Sequence, residues 1–330
     1  MGGAVGAPTV VIAYRGLGDA PIEEPILGRV DARVRFADDL AAPEVRAADA
    51  LMVTTQPITA AVIDRLDRCA IISRVGVGLD NIDIPAATAR GIWVTNVPDY
   101  AIDEVATHAI ALLLAHLRRV PAYASATRRG TWDGADASTL RRPGNVTLGV
   151  LGFGRIGGAA AAKGRGLGLR VIAHDPQVDQ AAIRAAGVEP VGWETLLRRS
   201  DYLSLHLPLE AQTRNLVDAR AFALMQPHAY LINTARGGVV DEEALLDALR
   251  RGAIAGAALD VLAIEPPPPD HPLLRDERVT ITPHVAWASA EASVDVRTKG
   301  AEEVVRALRG ERPRFPANEI NGHAGLGGGR

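Results

Sequence analysis

Three segments of the 330-residue chain each carry a reactive side chain in a setting suited to chemistry. They are Leu231-Ile-Asn-Thr-Ala-Arg236-Gly-Gly, Asp260-Val-Leu-Ala-Ile-Glu265-Pro and Ile281-Thr-Pro-His284-Val-Ala. Each follows a short aliphatic run, so each reactive group is expected just past the carboxyl end of a strand, where an open α/β sheet presents its ligand crevice. Singly they have plainer explanations: an arginine before Gly-Gly is commonly a solvated turn residue, a lone glutamate a surface acid, an isolated histidine a structural one. Together they supply a fixed cation, a carboxylate and an acid/base.

A fourth segment suggests what such a trio would work beside. The pattern GxGxxG occurs at Gly152-Phe-Gly154-Arg155-Ile156-Gly157. With 33 glycines in 330 residues, three at fixed places arise by chance about 0.3 times in such a chain, so the context must decide. Here the motif follows the strand-like run Val146–Leu151 and opens an Ala-rich helical stretch through Lys163, a setting in which a pyrophosphate meets bare N–H groups at a helix N-terminus. A second strand-like run ends at Asp175, 18 residues beyond Gly157. An acid there accepts both hydroxyls of an adenosine ribose and repels a 2′-phosphate, and Pro176 rather than a basic residue follows it, so NAD is expected over NADP. A methyltransferase would share this much.

The elements that must position these groups alternate. Apolar runs at Thr9–Tyr14, Ala32–Phe36, Ala50–Thr54, Ala70–Val75 and Ile92–Val97 are separated by segments of helical length such as Thr59–Leu66 and Pro85–Arg90. Val105–Arg119 reads as one long buried helix. The alternation then restarts at Val146–Leu151 and continues through 170–173, 188–191, 202–207, 230–233, 257–261 and 279–281. Two βα series imply two α/β domains with parallel sheets, in keeping with a prior of about 150 residues per domain. The prolines at 266–269 predict a stiff extended loop, and the glycine-rich end at 325–330 a tail.

Composition narrows the function classes. The chain is 48% hydrophobic and 23% charged with a formal charge of −3, which gives no basic field for nucleic acid or anionic lipid. Its apolar runs, near 109–117 and 254–259, fall short of the ~18 residues of a membrane span. The start, MGGAVGAPTVVIAY, lacks a basic leader region and reads as a short tail before a strand, so a cytoplasmic location is expected. Cys69 is alone, which forbids an intrachain disulfide and argues against a cysteine zinc site; no metal is expected.

Arg74-Val-Gly-Val-Gly-Leu-Asp-Asn-Ile-Asp83, Asn96-Val-Pro98, the glycine loop, Ser204-Leu-His-Leu-Pro208, Asn233–Gly238, Asp260–Pro266 and Thr282-Pro-His284 fall in one order. In that order, from about Ala50 to Ala290, the chain resembles the D-isomer-specific 2-hydroxyacid dehydrogenase family. The resemblance implies two doubly wound parallel-sheet domains. A Rossmann NAD-binding domain over 102–290 would be inserted into a flavodoxin-like substrate domain made of 1–101 and 291–330. It implies that Arg236, Glu265 and His284 are catalytic, that Asp175 binds the adenosine ribose and that Asp260 binds the nicotinamide carboxamide. The cofactor set is completed by Gly152, Gly154, Arg155, Ile156, Gly157, His206, Pro208, Thr213 and Thr234. A homodimer is also expected, with the apolar 105–119 helix packing across a two-fold axis.

The chemistry of the residues agrees. A 2-keto acid presents a carboxylate beside a carbonyl, and the planar guanidinium of Arg236 can bind the one while polarising the other. Backbone N–H groups of Val75, Gly76, Val77 and Gly78 can approach the same carboxylate. His284 would exchange a proton with the carbonyl oxygen, with Glu265 fixing its tautomer. Departures from the family pattern are Thr107, where an acid is common, and Trp287, where many members have glycine. Trp287 and the segment Asn96–Tyr100 suit a subgroup that includes the C-terminal-binding corepressors, so an NAD-sensing binding protein is the alternative. Tyr100 and Trp287 are offered to the substrate pocket, with core packing as the open alternative. Thr54-Thr55-Gln56 supplies no arginine for a phosphate, which favours a small unphosphorylated substrate.

Overall fold

The structure is a computed structural model that describes residues 6–14, 20–133 and 140–320. The expected tail at 325–330 and the first five residues of the expected leading tail lie outside the described residues. Two compact units emerge: Met1–Tyr100 with Ser289–Arg330, and Ala101–Ala288. The sequence-based boundaries were one or two residues further along the chain, after 101 and 290.

The first unit alternates strictly. β1 (Thr9–Ile12), α1 (Glu23–Leu27), β2 (Arg33–Phe36), α2 (Pro43–Arg46), β3 (Ala50–Val53), α3 (Ala60–Ile63), β4 (Ile71–Arg74), α4 (Ile84–Ala89) and β5 (Trp93–Thr95) follow one another. The strands form a five-stranded sheet in the order β2-β1-β3-β4-β5, all parallel, which is the flavodoxin-type arrangement. Side chains alternate across it with the period of two that a strand imposes. Val10, Ile12, Met52 and Ile71 enter one core and Val11, Leu51, Val53 and Ile72 the other. β2, at the edge, turns Arg33 and Arg35 to solvent, which blunts further strand pairing.

The second unit contains α5 (Ile102–Leu117), α6 (Val120–Arg128), β6 (Thr147–Leu151), α7 (Arg155–Gly166), β7 (Arg170–His174), α8 (Gln180–Ala185), β8 (Glu189–Pro190), α9 (Trp193–Arg199), β9 (Tyr202–Leu205), α10 (Ala219–Leu224), β10 (Tyr230–Asn233), α11 (Glu242–Arg250), β11 (Gly256–Leu259) and β12 (Val279–Ile281). Its seven strands are ordered β12-β11-β10-β9-β6-β7-β8, all parallel. Counted from β6 this is the 3-2-1-4-5-6 order of dinucleotide-binding sheets extended by one strand, and it reverses between β6 and β9. One face is covered by α5 and α7, through Ala109, Leu112, Leu113 and Ala161 on Leu148 and Val150. The other carries Leu196, Phe222, Leu245 and Leu249.

Two findings correct the sequence reading. The long helix runs Ile102–Leu117 rather than 105–119, and its buried residues Ala109, Ile110, Leu112, Leu113 and Leu117 are spent in its own unit's core, so they do not supply a face for a partner. The 19-residue helix α12 (Ala290–Leu308) has no counterpart in that reading. It returns the chain to the first unit, where Val296, Ala301 and Val304 complete a core and Glu23 accepts from Arg297. Among the described residues no helix is long and apolar enough to cross a membrane.

Candidate active site

Because every pairing in the second sheet is parallel, the exits of β6, β7, β9, β10, β11 and β12 share one edge, and the residues singled out in this unit lie in or just beyond those exits. After β6 the chain turns at Gly152, whose φ of +89° lies in the region that favours glycine. A Cβ at Gly157 would fall 2.0 Å from the Gly152 carbonyl oxygen, so bare glycine is what lets α7 start directly against the loop. The first-turn N–H groups of α7, from Arg155 to Gly157, have no preceding turn to bond. Asp175, at the end of β7, accepts from Phe153 N–H at 2.7 Å and from Gln177 N–H at 2.8 Å. Its two oxygens are thereby fixed beside the glycine loop, each with a lone pair to spare.

Past β9, His206 Nε2 lies 2.9 Å from Ser204 Oγ, and burial pushes the imidazole down to about 4, so it is neutral at neutral pH. The Thr213 hydroxyl donates to Pro208 O at 2.7 Å and accepts from Glu210 N–H at 2.8 Å, which closes the loop between them. Thr234, the first residue past β10, is buried, and its Oγ1 has no hydrogen-bond partner among the described residues. An orphaned buried hydroxyl is costly. With the glycine cradle and the oriented Asp175, it fits a site built for a dinucleotide.

Arg236 stands on a turn shaped by Asn233, which is 1% exposed. Asn233 accepts Ala235 N–H at 3.0 Å and donates to Arg236 O at 2.9 Å. The Arg236 Nη1 donates to Ala235 O at 2.7 Å, with the side chain half-buried. Glu265 Oε2 lies 2.6 Å from His284 Nδ1, and the two side chains are 34% and 33% exposed, open enough for a small molecule to reach. Glu265 Oε1 accepts Leu262 N–H at 2.9 Å. Burial raises the Glu265 carboxyl. The hydrogen bond and charge of His284, the Leu262 N–H and the Arg236 guanidinium outweigh it and hold the group below its ordinary value. With Nδ1 occupied by the carboxylate, Nε2 is the atom through which His284 can exchange a proton.

Several partners of this trio carry no sequence signal. Glu242, opening α11, accepts Ala263 N–H at 2.7 Å and lies 3.4 Å from His271 Nε2, so it braces the loop that bears Glu265. His284 has a φ of +54°, a left-handed conformation costing a non-glycine residue about 1 to 2 kcal/mol. Its N–H donates to Asp260 O at 2.8 Å, and its carbonyl accepts from Trp287 Nε1 at 3.0 Å. The indole N–H of Trp287 is therefore engaged on the histidine backbone. Asp260 is 2% exposed and already accepts from Thr282, Val285 and Ala286.

The remaining predicted residues lie in the first unit. Val75 N–H donates to Val53 O at 2.7 Å and Gly76 N–H to Arg74 O at 3.0 Å. These two expected donors are thus spent internally, which leaves Val77 and Gly78. Asn96 Nδ2 holds Val77 O at 2.6 Å. Tyr100 is half-buried and packs against the core that α12 completes.

A family model described as D-isomer specific 2-hydroxyacid dehydrogenase, NAD binding domain, matches residues 110–286, more than half of the chain. The chain is 40% identical to D-3-phosphoglycerate dehydrogenase of Mycobacterium tuberculosis over 98% of its own length and 60% of that protein's. It is 41% identical to glyoxylate reductase of Korarchaeum cryptofilum over 84% of each. The fold matches D-lactate dehydrogenase of Aquifex aeolicus, solved with NAD and lactic acid, with a TM-score of 0.84 and 27% identity over 92% of this chain and 96% of that one. The chain spans 41% to 60% of the length of the phosphoglycerate dehydrogenases it matches.

Proposed function

The chain belongs to the D-isomer-specific 2-hydroxyacid dehydrogenase family, and from that premise we propose that it is an NAD-dependent oxidoreductase interconverting a small, unphosphorylated 2-keto acid and the D-2-hydroxy acid. The observation that carries this reading is the 2.6 Å pair of Glu265 and His284, set on loops next to the Arg236 turn. Arg236 binds the substrate carboxylate and polarises the ketone. His284 Nε2 delivers a proton to the carbonyl oxygen in reduction and removes it from the hydroxyl in oxidation. Glu265 holds the tautomer and balances the charge of the imidazolium. When bound, the nicotinamide supplies or accepts the hydride at the substrate carbon. The Gly152, Gly154 and Gly157 loop and the first turn of α7 would hold its pyrophosphate, Asp175 would accept from the ribose hydroxyls and the Thr234 hydroxyl would supply a further hydrogen bond.

The absence of an arginine at 54–56 supports an unphosphorylated substrate. Thr54 engages Gln56 there instead, its N–H 2.9 Å and its hydroxyl 3.2 Å from Gln56 Oε1. A homodimer is part of the proposal and rests on the family resemblance. A panel of 2-keto acids including 3-phosphohydroxypyruvate, read by loss of NADH absorbance, tests the function. Turnover of a small keto acid is expected. No turnover of any member rejects the enzyme reading, and preference for the phosphorylated member rejects the substrate class.

A further inference from the structure

We propose that Thr282 and His108 are positioning residues for His284, acting through the Asp260 carboxylate. The inference rests on reading His284 as the acid/base. A left-handed backbone at a histidine persists only where its surroundings impose it, and here one residue does most of the imposing. Asp260 accepts the His284 N–H with its backbone oxygen at 2.8 Å. With its side chain it accepts the next two N–H groups, Val285 on Oδ1 at 3.0 Å and Ala286 on Oδ2 at 2.9 Å. The chain therefore wraps around a single buried carboxylate as it passes through His284.

A carboxylate buried to that degree is only as well placed as its other partners make it. Oδ1 lies 2.5 Å from the Thr282 hydroxyl. An ionised carboxylate only accepts, and a hydroxyl has a single proton, so Thr282 donates to Asp260 and its oxygen is left to accept. The donor facing it is His108 on α5, with Nε2 3.1 Å from Thr282 Oγ1. His108 thus carries its proton on Nε2, and the bonds run in one direction, from His108 to Thr282 to Asp260. Nε2 also lies 3.7 Å from Asp260 Oδ1, outside hydrogen-bond reach, so the threonine is the link. Because Thr282 stands two residues before His284, the same loop is held on both sides of the histidine. α5 is anchored by its own buried face, which gives this network a rigid origin.

Removal of the hydroxyl frees the carboxylate to turn toward His108 and slackens the peptide groups at 284–286. The expected loss falls on proton transfer by His284 rather than on cofactor affinity. The test compares Thr282→Val, Thr282→Ser, His108→Leu and His108→Gln in the full chain. It reads kcat for keto-acid reduction in H2O and D2O, NADH Kd by fluorescence, and thermal midpoint. For Thr282→Val we expect kcat to fall about 10- to 100-fold with a larger solvent isotope effect, and NADH Kd to stay within about twofold. Serine should restore both kinetic quantities. His108→Leu should show the same pattern more weakly and His108→Gln, which keeps a donor, should recover it; this pair carries the test if Thr282→Val does not fold.

The same substitution is made in a His284→Gln background. If Thr282 acts through His284, it has no further effect there. Wild-type kcat and isotope effect in Thr282→Val and His108→Leu, or an undiminished further loss in the His284→Gln background, overturns the inference while the acid/base reading stands. Near-normal turnover of His284→Gln itself overturns that reading, and the positioning role with it.

Discussion

Glu265 and His284 meet at 2.6 Å across 19 residues of sequence, on loops that leave the paired strands β11 and β12. The pairing leaves an acid held below its ordinary value, because the His284 hydrogen bond and charge, the Leu262 N–H and Arg236 together exceed the opposing effect of burial. The sign follows: ionised Glu265 favours the folded site above the unfolded carboxyl value, and that contribution is lost as pH falls through the lower, folded value. The acid limb of keto-acid reduction that belongs to this group is therefore expected below about pH 4.3, the ordinary glutamate value. Glu265→Gln should lower kcat across the range and abolish that limb. Profiles of kcat/KM, with folding followed at each pH, check it; a limb above about pH 5 that survives in the variant would belong to another group.

Arg236 is expected to tolerate no conservative replacement. Its turn, held by both ends of the Asn233 amide, presents a planar fork that matches a carboxylate and an adjacent carbonyl. Lysine keeps the charge and loses the fork. Arg236→Lys should reduce kcat/KM for the keto acid by at least about 30-fold, in the range of a lost charge-assisted hydrogen bond, with NADH Kd little changed. An equal loss in NADH binding would place the arginine on the cofactor instead.

Much of this site is legible in the sequence because it sits at strand exits. The continuous apolar runs at 230–233, 257–261 and 279–281 mark where the parallel strands end, and Arg236, Glu265 and His284 are read from the segments that follow them. What escapes is whatever depends on tertiary partners. His108 and Thr282 are 174 residues apart, and no spacing rule joins them. Glu242 reads as an ordinary first-turn acid until Ala263 is seen to donate to it. Val75 and Gly76 read as anion donors from the sequence, but their N–H groups bond the Val53 and Arg74 carbonyls, which no local pattern announces. The apolar stretch of α5 is as compatible with a partner's surface as with a core, and only the packing of Leu112 and Leu113 on the second sheet decides it.

Selectivity for NADH over NADPH should reside in Asp175. Its oxygens are held by Phe153 and Gln177 N–H groups, so the carboxylate cannot swing away from a 2′-phosphate. The wild type is expected to prefer NADH, and Asp175→Asn to narrow the ratio of kcat/KM values by at least about tenfold, or about 1.4 kcal/mol. Equal or better turnover with NADPH in the unmodified chain would reject the assignment.

The first unit carries a buried ion pair whose disruption should be felt as stability. Glu23 is 0% and Arg297 5% exposed, joined by bonds of 2.6 and 2.7 Å, and Tyr14 OH donates to the same carboxylate at 2.9 Å. Burial and the neighbouring carboxylate push the Tyr14 hydroxyl up, so it remains a donor. Arg297→Met strands Glu23 and should cost about 3 to 5 kcal/mol, whereas Glu23→Leu with Arg297→Met should recover most of it. Urea titration followed by circular dichroism measures both. A single variant as stable as the wild type would mean that the acid finds another partner or a proton.

Thr234 offers the most direct test that this unit is built around a cofactor. Its Oγ1 is buried with no protein partner among the described residues, in the first position past β10 and one strand removed from the point where the sheet order reverses. Leaving a hydroxyl in that state costs about 1 to 3 kcal/mol, and valine, which has nearly the same shape, removes the cost. A hydroxyl that serves only packing would make Thr234→Val neutral or favourable in every respect. A hydroxyl reserved for a ligand separates two quantities: the ligand-free protein should be at least as stable as the wild type, while NADH binds about 2- to 10-fold more weakly, the worth of one neutral hydrogen bond. Thr234→Ser, which keeps the oxygen, should retain wild-type affinity. Thermal midpoints without cofactor and NADH Kd by fluorescence distinguish the cases, and an unchanged Kd in the valine variant would remove Thr234 from the cofactor site.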